Sequence, residues 1–243
     1  MMNNQKISLV IPAYNEEKYI GPCLEHVLLN SRGRFSEIIV VDSGSTDRTC
    51  EVANRYPGVH VVRDQKKGPN HARQLGLEAA SGDLVAFLDA DTWLSPNWIP
   101  AAEKFFAAHP GAVSISGPYR YYDGTPYLRF LLWVSWWVSA PVIYTLVGYM
   151  VLGGNFIAKR SALTAMGGFD TSIHFYGDDT DTARRLHAHG KVVFQMNFTN
   201  FSSCRRFKAQ GFLRTTVLYV LNFMWQVVFH HPFSKPKNNP AIL

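Results

Sequence analysis

Cysteine is scarce and scattered: Cys23, Cys50 and Cys204 are the only three, and no two form a CxxC pair. That excludes a disulfide framework and a structural zinc site, and it points to a reduced, intracellular setting. Nine histidines occur without HExxH or another ligand spacing. His187 and His189, two apart on a predicted helix, cannot share a face and read as solvated. There is no internal repeat and no low-complexity tract. The opening Met-Met-Asn-Asn-Gln-Lys runs straight into a strand, so no signal peptide is expected there. Charged residues make up only 17% of the chain against 47% hydrophobic, which permits a sizeable core and argues against disorder. The net charge is +6, which favours an anionic partner. No nucleic-acid module is visible, and basic residues do not interleave with aromatics on one predicted sheet. Phosphorylated substrates and an anionic membrane surface are therefore the expected partners, and nucleic acid is not.

What is present is a regular alternation of strand and helix patterns. Residues 6–11, 37–41, 59–62 and 84–88 are short apolar runs bounded by turn residues, and residues 16–29, 46–55, 70–80 and 97–108 carry helical spacing. Residues 153–159 and 191–196 read as further strands, and residues 160–166 and 178–189 as helices, the last stopped at Gly190. The pattern predicts an α/β fold: a mostly parallel, Rossmann-like sheet flanked by helices. Ligands of such sheets bind beyond the carboxyl ends of the strands. Those ends here read Pro12-Ala13-Tyr14-Asn15-Glu16, Asp42-Ser43-Gly44-Ser45 and Asp89-Ala90-Asp91, two of them acidic.

Asp89 and Asp91, one small residue apart after a buried strand, can point two carboxylates at one hard cation completed by phosphate oxygens and water. The plainer reading is a pair of turn or cap residues. Asp42 can accept from a nucleobase N–H beside small residues, while Ser45 or Thr46 caps the next helix. Arg73 suits a diphosphate, or is a surface helix arginine. Asp178, Asp179 and Asp181 form a second acidic cluster at a helix start, where the macrodipole alone favours them. The chemical reading makes one of them a general base, its pKa raised by neighbouring carboxylates and partial burial.

Five segments, SLVIPAYNEE (8–17), IIVVDSGSTDRT (38–49), GPNHARQLGLEAASGD (68–83), VAFLDAD (85–91) and GGNFIAKRSALTAMGGFDTSIHFYGDDTDTARRL (153–186), together resemble family 2 glycosyltransferases over residues 6–200. The resemblance implies a GT-A fold and inverting, single-displacement transfer from a nucleotide-sugar with Mg²⁺ or Mn²⁺. It implies that Pro12, Tyr14, Glu16 and Asp42 line the nucleobase and ribose site and that Arg73 approaches the diphosphate. Asp89 and Ala90 would lie at the ribose or metal, with Asp91 on the metal. Gly153, Gly154 and Asn155 would form the floor near the donor sugar and acceptor, with Asp179 as catalytic base. Two positions depart from the common pattern: Ser43 replaces a second Asp, and Asp178 replaces a Glu, which leaves Asp178 as the competitor of Asp179. Processive members carry Gln-x-x-Arg-Trp after the base; Ser203-Cys204-Arg205-Arg206-Phe207 lacks both the Gln and the Trp, so processive synthesis is not expected. Arg205 and Arg206 would bind a donor or acceptor phosphate, or form a solvated basic turn. The acceptor would be a hydroxyl of a glycan or lipid-linked glycan; alternatives are a polyprenyl-phosphate sugar synthase and a non-catalytic nucleotide-sugar binder. A nucleotidyltransferase would want a Gly-rich, basic loop after the first strand, which PAYNEE does not supply.

Residues 127–152 carry one charge, Arg129, and are long enough to span a bilayer once. A single crossing would put Asp91 and Asp179 on opposite sides, and Pro141 would break the helix near its middle. Trp133, Trp136 and Trp137 share a face as an interfacial patch would. In residues 212–229, Thr215, Tyr219, Asn222 and Gln226 form a polar stripe opposite an apolar face. The expectation is a GT-A domain over residues 1–211 with an interfacial insertion at 127–152, then an amphipathic helix and basic tail over 212–243. It would sit peripherally on the cytoplasmic face of a membrane. The alternative is that the two stretches pack on each other or form a homodimer contact.

Overall fold

The computed structural model describes residues 5–173 and 176–231; His174, Phe175 and the expected basic tail lie outside the described residues. A seven-stranded sheet forms the centre, in the order β3-β2-β1-β4-β8-β6-β9. Its strands are β1 (Ile7–Ala13), β2 (Phe35–Asp42), β3 (Val59–Arg63), β4 (Leu84–Leu88), β6 (Ala112–Ser116), β8 (Asn155–Lys159) and β9 (Lys191–Phe194). Only β8 runs against its neighbours. Because side chains alternate along a strand, Leu9 and Ile11 feed one core and Val10 feeds another. The first core takes α1 (Ile20–Ser31), α2 (Thr49–Ala53) and α4 (Trp98–Ala108); the second takes α3 (Pro69–Ala79), α6 (Arg160–Ala165) and α7 (Asp178–His187). The chain winds from β1 outward to β3 and then returns to β4 beside β1. That reversal opens a crevice at the carboxyl ends of β1 and β4, where Pro12–Glu16 and Asp89–Asp91 emerge.

A second sheet of three short strands, β5 (Thr92–Trp93), β10 (Asn200–Ser202) and β7 (Tyr119–Tyr121), flanks the crevice. Strands of two and three residues carry no readable period, so the sequence did not announce them. Two helix starts also differ from expectation. The helix expected from Glu16 begins at Ile20, because Asn15 is left-handed and Glu16 O accepts from Tyr19 N and Ile20 N in a turn. The helix expected from Thr46 begins at Thr49, where Asp47 accepts from Thr49 N at 2.9 Å.

The apolar stretches form α5 (Pro126–Val147) and α9 (Phe212–Phe229), the latter preceded by α8 (Arg205–Gln210). Pro141 does not break α5. Its ring removes only the bond its N–H would give to Trp137, at a point where the helix lies on the surface and Thr145 Oγ1 bonds back to Pro141 O. Trp136 also departs from expectation: Trp133 and Trp137 are exposed, but Trp136 turns inward onto Phe194. In α9 the polar stripe faces the protein. Thr215, Asn222 and Gln226 are buried against the body, while Leu213 is 73% exposed and Val217, Leu221, Met224 and Val228 face outward with it. Both helices are long and apolar enough to cross a membrane. A simple crossing by α5 is excluded by geometry, since the residues before and after it build one site.

Candidate active site

The crevice is a cavity of about 640 Å³. Of the residues singled out in the sequence, Pro12, Tyr14, Glu16, Arg73, Asp89, Ala90, Asp91, Gly154, Asp178, Asp179, Arg205 and Arg206 all line it. Asp42 and Asn155 stand behind its wall. The Asp42 carboxylate is fully buried, accepting from Ser45 N at 3.2 Å and Arg63 Nε at 3.3 Å, and Ser43 reaches the cavity instead. Asn155 is a structural hub. Its Oδ1 accepts from Trp98 Nε1 and Asn200 Nδ2, and its Nδ2 donates to Gly117 O and Phe198 O, which consumes the side chain.

At the other wall, Gly177 takes the left-handed conformation that caps α7 and delivers Asp178 and Asp179 to its first turn. Arg73, buried on α3, holds Asp178 at 2.7 Å and lies 3.6 Å from Asp89 and 4.0 Å from Asp179. Burial disfavours its charge, but the three carboxylates more than compensate, so Arg73 stays protonated. Its guanidinium is thus an organiser of carboxylates first. Asp178 is clamped and Asp179 is left looser. Burial pushes the Asp179 carboxyl up to about 8, Asp178 adding to the rise and Arg73 opposing it. Beneath them Gly153 and Gly154 leave no room for a side chain. A Cβ on Gly153 would sit 2.3 Å from both Arg73 Nη2 and Asp179 Oδ1; one on Gly154 would sit 2.1 Å from Asp89. The Gly-Gly step is what lets β8 bring the α7 carboxylates beside the β4 loop.

Asp89 is open to the cavity and accepts from Tyr119 Oη at 3.3 Å. Asp91 is buried, and this pushes its carboxyl up to about 7 against the opposing charge of Arg205. Arg205 bonds Glu16 through both terminal nitrogens, at 2.8 and 2.5 Å, and Asp91 through Nε at 3.1 Å, while stacking 4.6 Å from the Tyr19 ring. Burial raises Glu16 in spite of that partner. Arg205 is not a solvated turn residue but a cation seated between the carboxylates of Glu16 and Asp91. A pocket that already holds a positive charge between two acidic oxygens suits a hard divalent ion, and Asp89 offers a further open carboxylate. Among the described residues no three metal-ligating side chains converge, so such an ion would need donor phosphate oxygens and water to complete its shell. Tyr119 and Lys67 line the cavity with no motif that marks them, and Tyr219, expected only in the polar stripe of α9, lines it too. Lys67 bonds Tyr14 Oη at 2.6 Å; Tyr119 was findable from the alternating Ala112–Ser116 run just before it.

The sequence profile described as Glycosyl transferase family 2 matches residues 8–166, well over half of the chain. The chain belongs to that family. Minor teichoic acid biosynthesis protein GgaA of Bacillus subtilis (strain 168) is 32% identical over 184 residues, 70% of this chain and 41% of the relative. Dodecaprenyl-phosphate galacturonate synthase of Rhizobium johnstonii is 38% identical over 104 residues, 40% of this chain and 31% of the relative. The chain thus spans less than half the length of the curated relatives it matches. The mannosyltransferase PcManGT of Pyrobaculum calidifontis, solved with GDP-Man and Mn²⁺, superposes with a TM-score of 0.70 at 20% identity, over 98% of this chain and 66% of that one. The fold of this family 2 protein is accordingly GT-A.

Proposed function

We propose that this protein transfers a sugar, with inversion and in single steps, from a nucleoside-diphosphate sugar to an acceptor hydroxyl. The observation that carries the reading is the division of labour in the acidic pair: Arg73 clamps Asp178 and leaves Asp179, raised to about 8, facing the cavity. A carboxylate with that pKa accepts a proton from a hydroxyl near neutral pH far better than an ordinary aspartate. Pro12, Tyr14 and Ser43 border the half of the crevice that suits a nucleobase and ribose. Asp89 and Asp91 would hold Mg²⁺ or Mn²⁺, which neutralises charge developing on a leaving diphosphate. Arg205 would then give up part of its hold on Asp91 and turn its charge toward phosphate. Asp179 takes the acceptor proton, and the floor of Gly153 and Gly154 sets its distance from Asp89.

The outward apolar faces of α5 and α9 support a peripheral position on the cytoplasmic face of a membrane, where a glycan or lipid-linked acceptor is at hand. A phosphate acceptor, as in a polyprenyl-phosphate sugar synthase, is already anionic and would need no base. The test is release of nucleoside diphosphate from a panel of nucleotide-sugars, with Mn²⁺ or EDTA, with and without a membrane lipid extract. Metal-dependent release is expected, falling about 10²–10⁴-fold in Asp179→Asn and lost in Asp91→Ala. Full activity in a variant with both Asp178 and Asp179 changed to Asn would instead select the phosphate acceptor.

A further inference from the structure

The cavity does not end at the carboxylates. It runs on between α5 and α9, walled by Leu132, Trp136 and Ile143 on one side and Val220 and Phe223 on the other. Thr216 apart, the polar side chains along this run donate at home: Ser135 Oγ to Leu132 O, Ser139 Oγ to Ser135 O, and Asn222 Nδ2 to Leu218 O. A glycan laid there would strip water from its hydroxyls and find few partners, whereas a hydrocarbon chain would lose nothing. At the inner end the character changes. Arg206 reaches across from α8, bonds Tyr219 Oη, and faces Tyr176 and Asp89. At the outer end the walls become the exposed apolar faces of the same two helices. An apolar passage that opens on an apolar surface and closes on a guanidinium has the polarity of a lipid phosphate.

We propose that the groove between α5 and α9 seats the isoprenoid chain of a lipid-linked acceptor, with Arg206 on its phosphate. This rests on the glycosyl-transfer reading for the identity of the acceptor, though not for the binding itself. The probe is a long-chain polyprenyl phosphate with a benzophenone at the chain end, photolysed with the full chain in detergent and mapped by mass spectrometry. Labelling is expected on the segments 132–143 and 216–223. Unlabelled polyprenyl phosphate should compete at least about tenfold better than a lysophosphatidate of similar headgroup charge. Val220→Trp should cut labelling by about tenfold or more. Arg206→Gln should weaken binding of polyprenyl phosphate about tenfold, the worth of one charge-assisted contact, and leave binding of the uncharged polyprenol within twofold. Labelling confined to outward positions such as Leu146 and Leu213 would overturn the proposal. So would equal competition by lysophosphatidate, or an Arg206→Gln effect of the same size on phosphate and alcohol. Groove labelling without nucleoside diphosphate release from any donor would support the groove and sink the transferase reading. Release on soluble acceptors without groove labelling would do the reverse.

Discussion

The helices α4 and α9 are both rich in apolar residues and are turned opposite ways. In α4 the residues Trp98, Ile99, Ala102, Phe105 and Phe106 are buried against the sheet, with Glu103 and Lys104 toward water. In α9 the buried residues are Thr215, Asn222 and Gln226, and the leucines and valines look outward. α4 is placed by the core, which rewards every apolar side chain it covers. α9 is placed by its polar stripe against α7 and α8, and its apolar side awaits an apolar neighbour. The same composition therefore serves stability in one helix and contact in the other.

The contrast can be broken most forcefully by truncating one residue in each region. Phe87→Ala, at the centre of the sheet between Phe156 and Phe169, is expected to cost about 3–5 kcal/mol in urea unfolding. Leu221→Ser on the outward face of α9 should stay within about 0.5 kcal/mol in buffer. A loss above 2 kcal/mol for Leu221→Ser would mean that the outward face is covered by the protein itself. A smaller effect separates membrane from dimer. The double variant Leu213→Ser, Leu221→Ser should lower co-sedimentation with anionic liposomes by about tenfold or more, since each buried leucine is worth about 1.5–3 kcal/mol. A wild-type chain that stays monodisperse as a dimer without detergent and ignores liposomes would assign the face to a second copy.

The smallest effect lies at the site. A carboxyl held at about 8 in the folded protein, against 3.8 for the ordinary group, keeps more protons folded than unfolded. Stability then falls as pH rises from about 4 to about 8. Asp179→Asn removes that cost; because the side chain is 35% exposed, water offsets most of it, so the variant should melt only about 2–4 °C above wild type at pH 8, with the gain gone at pH 4. Scanning calorimetry at the two pH values checks this. A variant that melts lower at pH 8 would mean that Arg73 stabilises the Asp179 carboxylate more than burial strains it.

The sheet and the loops that reach the crevice were legible where a few residues carry a strong local pattern. β1, β2 and β4 are apolar runs that end in turn residues, and each delivers its expected loop to the crevice. The acidic pair at the start of α7 was also legible, down to the competition between Asp178 and Asp179. What sets the two apart in the structure, the reach of Arg73 across 105 residues to Asp178, has no signature along the chain. The family resemblance places Asn155 in the floor with the two glycines before it. Only its four partners, drawn from α4, β10 and the loops after β6 and β9, reveal it as a hub. Periodicity found the polar stripe of α9 but said nothing of which side faces the protein, since a period fixes an angle around the axis and not a direction. Ser43 shows the same limit at the mouth of the crevice: it took the place expected of Asp42 through a one-residue shift that no motif encodes.

The bond pair from Arg205 to Glu16 joins positions 189 residues apart. Glu16 is synthesised 189 residues before Arg205. At ordinary rates of about 5–20 residues per second, roughly 10–40 s separate the two. Until Arg205 is made, Glu16 and Asp91 lack the guanidinium that bridges them. The last strand of the large sheet, β9, ends at Phe194, 11 residues before Arg205, so sheet and pocket are completed almost together, at almost the same moment that the apolar α9 emerges.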